Sequence, residues 1–137
     1  MIKGQIVTPH GLYKEFETPF INITSKDGER GILEHHVPVC FMLDIGKLET
    51  NENGEDKVYA INGGMFYFER GVANILVDTI ESKEEIDLNR AIASKDRSLE
   101  RLEKRDPNLD LKRAELALRR AMNRIKIASE DAIFLVH

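Results

Sequence analysis

The sequence predicts an all-β N-terminal half followed by an antiparallel two-helix hairpin. Three observations carry that reading. Up to about Ser82, short apolar runs alternate with turn residues. All nine glycines precede position 72. Beyond Ser82 the apolar residues recur every three or four positions, the spacing of a helix face rather than of a strand.

The strand-like runs come in order. Ile6-Val7 is followed by Phe20-Ile21-Asn22-Ile23-Thr24 and Val39-Cys40-Phe41-Met42-Leu43. Lys57-Val58-Tyr59-Ala60-Ile61, Met65-Phe66-Tyr67-Phe68 and Val72-Ala73-Asn74-Ile75-Leu76-Val77 follow. Asp27-Gly28, Asn53-Gly54, Gly63-Gly64 and Arg70-Gly71 separate them. Asn-Gly and Asp-Gly suit tight hairpins because both central residues tolerate positive φ. Many short strands with frequent turns point to a sandwich or barrel. Cys40, between Val39 and Phe41, is expected to be a small buried core residue, and as the single cysteine it forms no internal disulfide.

Ser82-Lys83-Glu84-Glu85 has the capping-box form and opens the helical part. Leu88, Ile92, Lys95, Leu99 and Leu102 recur on one face, with Ala91 beside them. Asp106-Pro107-Asn108 stops this helix, since proline disfavours helix in the preceding residue. A second helix starts near Asp110, with Leu111, Ala114, Leu118, Ala121, Ile125 and Ala128 on a narrow seam. Its alanines permit close approach of the two axes. Ala132-Ile133-Phe134-Leu135-Val136 forms an apolar tail that reads equally as a frayed end or a docking segment. The division falls at residues 1–82 and 83–137.

The chain has 137 residues, 42% apolar and 32% charged, the composition of an ordinary globular protein. It has no apolar run of about 18 residues and no signal-peptide core, so a cytosolic chain is expected. The net charge of −4 is unevenly placed. Residues 1–82 carry seven Lys/Arg against thirteen Asp/Glu, whereas residues 83–137 carry thirteen against eleven. An acidic body with a basic end suggests two modules with different partners.

The usual catalytic patterns are absent from the sequence. There is no Walker-type phosphate loop, no Gly-x-Ser-x-Gly elbow and no His-Glu-x-x-His. His35-His36 lacks further ligands at metal spacing, and neighbours on a strand would face opposite ways; no metal site is expected. The hairpin is more informative. Asp87 and Arg90 share one face of the first helix, and Arg120 and Arg124 share one face of the second. Like charges four apart repel, so this pair is either a solvated basic face or an anion site that uses guanidinium forks on phosphate oxygens.

The order of motifs resembles one family across nearly the whole chain, the epsilon subunits of F-type ATP synthases. The likeness runs through Val7-Thr8-Pro9-His10-Gly11, the segment Asp27-Gly28-Glu29-Arg30-Gly31-Ile32-Leu33-Glu34-His35-His36-Val37-Pro38, and Leu43…Gly46. It continues through Tyr59-Ala60-Ile61-Asn62-Gly63-Gly64, Ile86-Asp87-Leu88-Asn89-Arg90-Ala91, and Arg113 to Arg124, which is similar to bacillus-type members. The resemblance implies an N-terminal sandwich of about ten strands with a C-terminal helical hairpin. It implies a non-catalytic subunit of the proton-translocating ATP synthase, a peripheral membrane complex at the cytoplasmic face of the bacterial membrane. The implied partners are the gamma subunit, the c-ring and, when the helices extend to inhibit ATP hydrolysis, the beta and alpha subunits. It further implies that the folded-down hairpin binds one ATP, with or without Mg²⁺, and does not hydrolyse it. Carried over by position, that site is Glu81, Ile86, Asp87, Arg90, Ala91, Arg120 and Arg124, with Asp87 accepting from the adenine amino group or orienting an arginine.

The alternative reading is a nucleic-acid-binding module built on the basic second helix. Against it, the chain is acidic and its Tyr and Phe cluster away from those arginines.

Overall fold

The computed structural model describes residues 1–104 and 107–129. Eight strands precede the helices: β1 (Ile2–Thr8), β2 (Gly11–Thr18), β3 (Phe20–Ser25), β4 (Gly28–Leu33), β5 (Val39–Glu52), β6 (Glu55–Glu69), β7 (Val72–Val77) and β8 (Ile80–Ser82). A 3₁₀ turn at Lys83–Glu85 leads to α1 (Leu88–Lys104) and α2 (Leu111–Ser129). The strands hydrogen-bond in the order β2-β1-β7-β6-β5-β3-β4, with β8 also on β6. Among the described strands only β1 and β7 run parallel.

The expected count of about ten strands becomes eight because β5 and β6 are long and unbroken. Each passes from one layer of the sandwich into the other. The free edge of β6 pairs with β7 from Gly64 to Glu69 and with β8 from Tyr59 to Ile61. The crossing is visible in the ladder, which steps from Leu43↔Gly64 to Ile45↔Asn62. It is also visible in the burial pattern. Tyr59 and Ile61 point inward before the crossing and Phe66 and Phe68 after it, so the inward parity of the strand switches. Gly63 and Gly64, at φ +113° and +133°, make the switch possible. A Cβ on Gly64 would lie 1.9 Å from the Leu76 carbonyl oxygen.

The two layers enclose one core that includes Ile2, Ile6, Ile23, Leu48, Phe66 and Ile75, all inaccessible to solvent. The Asn53-Gly54 turn joins β5 to β6 with both residues at positive φ, as its sequence predicts. A buried polar network closes one end of the core. Glu52 accepts from Thr50, from the Tyr59 hydroxyl at 2.7 Å and from Lys14 at 2.6 Å. Burial works against ionisation of Glu52, but the three bonds outweigh it and hold the carboxyl below its ordinary range. Burial, followed by the bond to Glu52, raises the Tyr59 phenol.

Several expectations are corrected. Cys40 is exposed, because strand alternation places Val39 and Phe41 towards the core and Cys40 on the outer face. His35 lies in a turn and His36 in the following loop, both exposed, rather than on a strand. His36 packs edge-on against Phe68 and places Nδ1 2.7 Å from the Val37 carbonyl oxygen. The capping box of Ser82 and Glu85 is present, but it caps the 3₁₀ turn, which Ile86 ends in an extended conformation. Asp87 caps α1 instead: its carboxylate accepts from the Arg90 amide at 3.1 Å. Asp110 does the same for α2 through the Arg113 amide. The seam of α1 is also different. Ala91 and Ser98 are buried, while Leu88, Ile92 and Leu99 are exposed along one flank. On α2, Ala114 and Ala121 are buried as expected, but Leu111 is exposed and Ile127 is buried. Asp106 of the helix stop and residues 132–136 of the apolar tail lie outside the described residues.

Candidate functional site

Of the two helices, α2 makes the main contact with the sandwich, against β5, β6 and the 3₁₀ turn. Its contact has an apolar end and a polar end. Ile127 and Ala128 pack on Val58, Ala60 and Ile86. Towards the middle of α2, Asn123 donates to the Gly46 carbonyl at 2.9 Å. Arg119 lies 3.4 Å from both carboxylate oxygens of Asp44. Arg124 reaches Glu81 on β8 through Nη2, which donates to Oε2 at 3.0 Å. Its Nε sits 2.7 Å from Oε1, but the N–H is not directed along a hydrogen bond. The donors all come from the hairpin and the acceptors all come from the sandwich, matching the charge split in the sequence.

The docking leaves a cleft of ≈ 460 Å³ between three elements. The middle of β6, at the crossing, and the segment through β8 supply Asn62, Thr79 and Glu81. α1 supplies Arg90 and Ser94, and α2 supplies Ala117, Arg120, Ala121 and Arg124. The arginines converge because 90 and 94 lie one turn apart on α1, while 117, 120, 121 and 124 share a stripe on α2. The small residues between them keep the space open. Neither Arg90 nor Arg120 has a carboxylate at ion-pairing distance among the described residues. Two buried side-chain polar atoms have no hydrogen-bond partner among the described residues, Asn62 Oδ1 and Arg124 Nε, and both belong to this cleft. For Asn62 Oδ1 such an orphan costs about 1–3 kcal/mol, whereas Arg124 Nε keeps its ion pair with Glu81. One is an acceptor and the other a cationic donor.

Four of the seven residues picked out in the sequence therefore come together: Glu81, Arg90, Arg120 and Arg124. Three do not line the cleft. Ile86 is in the apolar cluster under Ile127, Ala91 is in the helix seam, and the Asp87 carboxylate caps α1. The reading of the sequence missed Asn62, Thr79, Ser94, Ala117 and Ala121. Ser94 was accessible from the helix period, being one turn beyond Arg90, and Ala117 and Ala121 each lie three residues before an arginine of the site. Nothing local marked Asn62 or Thr79, which enter through the sheet crossing.

A second surface lies on the outer face of the other layer. Leu12, Val7, Leu76, Met65 and Met42 stand opposite one another in an unbroken row across β2, β1, β7, β6 and β5. Leu12 is 57%, Leu76 40% and Met42 54% exposed, so the row is an apolar stripe open to solvent. No helix of the described residues is long and apolar enough to cross a membrane.

Comparison with known proteins places this arrangement. Residues 1–83 match the family model described as the ATP synthase delta/epsilon chain β-sandwich domain. Residues 84–129 match that of the ATP synthase delta/epsilon chain long alpha-helix domain. The chain is 38% identical over 127 residues to an ATP synthase epsilon chain of Bacillus licheniformis, covering 93% of this chain and 97% of that one. It is 37% identical over 127 residues to an ATP synthase epsilon chain of Pediococcus pentosaceus, covering 90% and 91%. Its fold is similar to that of a chain in the cryo-EM structure of the Euglena gracilis mitochondrial ATP synthase, OSCP/F1/c-ring in rotational state 1. There the TM-score is 0.77 at 23% identity, over 89% of this chain and 78% of the other. Matched by both domain models and by full-length relatives, the chain belongs to the delta/epsilon family of ATP synthase subunits.

Proposed function

We propose that this chain is a non-catalytic rotor-coupling subunit whose hairpin regulates ATP hydrolysis, and that ATP in the cleft favours the docked hairpin. Two surfaces support the two parts. The apolar row Leu12–Val7–Leu76–Met65–Met42 supplies a face for the gamma subunit and the c-ring of a membrane-peripheral complex, on the cytoplasmic side of the bacterial membrane. The hairpin supplies the moving part, meeting the beta and alpha subunits when it extends.

The observation that carries the nucleotide reading is a cleft in which Arg90 and Arg120 have no carboxylate at ion-pairing distance among the described residues, beside the buried, unpartnered Oδ1 of Asn62. The residues present fit a nucleoside triphosphate, with or without Mg²⁺. Arg90, Arg120 and Arg124 would hold phosphate oxygens, and the Asn62 end offers an acceptor for an N–H or O–H. Glu81, the carboxylate of the lining, is ion-paired with Arg124, and Thr79 Oγ1 accepts from Asn62, so on this reading the ligand is held rather than turned over. A ligand touching the sandwich, α1 and α2 at once binds the docked state alone. It stabilises that state by mass action, about 2.7 kcal/mol at a hundred times its dissociation constant.

Co-purification tests the rotor role: a tagged chain should bring down gamma and c-ring subunits, and failure to join such a complex would refute it. Calorimetry tests the site. ATP should bind the intact chain, and Arg120→Ala with Arg124→Ala should abolish the heat. No heat with wild type at millimolar ATP, where association is worth only about 4 kcal/mol, would remove the nucleotide from the proposal.

A further inference from the structure

We infer that Asn62 is a specificity-determining residue of the cleft, accepting a hydrogen bond from a donor on the nucleoside half of the ligand. The inference rests on the nucleotide reading above and adds a role for a residue outside the arginine set.

The side-chain amide of Asn62 is fixed at one end. Its Nδ2 donates to Thr79 Oγ1 at 2.6 Å, across the gap between β6 and the segment leading to β8. Oδ1, on the other arm of the amide, is buried and has no hydrogen-bond partner among the described residues. Asn62 sits immediately before Gly63 and Gly64, at the place where β6 crosses between layers, so its backbone is held by the ladder with Ile45. A carbonyl oxygen held this firmly discriminates well. A ligand donor relieves the cost of the orphan, whereas a ligand acceptor meets it lone pair to lone pair.

Asp87, the residue expected to receive the adenine amino group, is less suited to the task. Its carboxylate is committed to the α1 cap, it is exposed, and it does not line the cleft. Arg90, Ser94, Arg120 and Arg124 are donors or, for the serine, a hydroxyl of either sense. Glu81, the carboxylate of the lining, is engaged by Arg124, and Thr79 Oγ1 already accepts from Asn62. Beside the hydroxyls of Ser94 and Thr79, Asn62 Oδ1 is the buried acceptor of the lining with no hydrogen-bond partner among the described residues. The donors it would select for are an exocyclic amino group on the base or a hydroxyl on the sugar.

Equilibrium binding on the full chain separates these sources. ATP is compared with ITP, which replaces the amino group by an oxo group, and with 2′-deoxy-ATP, which lacks one hydroxyl. Wild type should prefer ATP over one of the two analogues by about tenfold. Asn62→Ala should weaken ATP by about the same factor and erase that preference, leaving the disfavoured analogue unchanged. Thr79→Val, which keeps the acceptor but frees its orientation, should lose part of the preference. Far-UV circular dichroism and the melting transition of each variant establish that it is folded. An ATP/ITP ratio and an ATP/2′-deoxy-ATP ratio both unmoved by Asn62→Ala, with ATP still bound, would overturn the role of Asn62 and leave the nucleotide site standing. Wild type binding none of the three would instead overturn the site itself.

Discussion

The sandwich and the hairpin are joined in one chain but held by different physics. The sandwich encloses a core drawn from both layers, with Phe66, Phe68, Ile23 and Ile75 fully removed from water. Among the described residues the hairpin meets it through a small apolar contact at Ile127 and Ala128 and polar ones at Arg119, Asn123 and Arg124. Exposed ion pairs contribute about 0–1 kcal/mol each, while each large core side chain contributes several. A hairpin held in this way is expected to leave without unfolding what it rests on, as the proposed regulatory role requires.

The largest effect should come from the core. Phe66→Ala is expected to destabilise the sandwich by about 3–5 kcal/mol, read as a lower midpoint in urea, with the helices losing their platform in the same transition. Next, Ile127→Ala should cost about 2 kcal/mol or less, confined to docking. Hydrogen exchange should quicken in α2 while the β6 and β7 amides keep their protection; equal loss in both regions would show that the two modules are one cooperative unit.

The unequal legibility of the two regions in the sequence follows the same division. Core strands such as β3 and β7 announce themselves by apolar runs, and the Asn53-Gly54 turn by its backbone requirement. β2 and β4 escape notice because Gly11–Thr18 and Gly28–Leu33 are edge strands rich in polar residues, formed by pairing with β1 and β3 rather than by their own pattern. The β5–β6 crossing is hidden because a parity switch reads as a break between two strands. In the hairpin the period gave both helices, yet the seam of α1 shifted to Ala91 and Ser98. Small residues allow the axes to come close, which leaves the larger Leu88, Ile92 and Leu99 at the edge. The arginines of the site were legible from helix spacing. Asn62 and Thr79 were not, since their approach depends on long-range pairing.

Smaller perturbations sharpen the comparison further. Arg124→Ala should weaken docking by about 1 kcal/mol or less, and 1 M salt should mimic part of the effect because the screening length falls to about 3 Å. Hydrogen exchange in α2 checks both, and the urea midpoint of the sandwich should stay in place. The smallest expected effect is that of acid on the linker. The Tyr13 hydroxyl donates to Glu85 in the 3₁₀ turn, and that bond is the main cause holding the Glu85 carboxyl below its ordinary value of 4.5. A depressed carboxylate stabilises the fold above its unfolded value and loses that contribution as pH falls through the folded one. The tether of the turn to β2 should therefore be intact at neutral pH and fade below about pH 4.5. Tyr13→Phe should reduce that pH dependence, followed through exchange of the 83–86 amides.

The unbroken passage of β5 and β6 through both layers has a mechanical consequence. In a sandwich made of two separate sheets, sideways load is resisted only by side chains sliding past one another. Here the layers share a pair of strands whose ladder runs from Val39↔Phe68 to Glu52↔Glu55. Shear between the layers would have to stretch that ladder along its length, so a push delivered to the Met42–Met65–Leu76 face reaches the Asp44–Gly46 shelf beneath α2 as displacement of a stiff body, with little of it absorbed on the way.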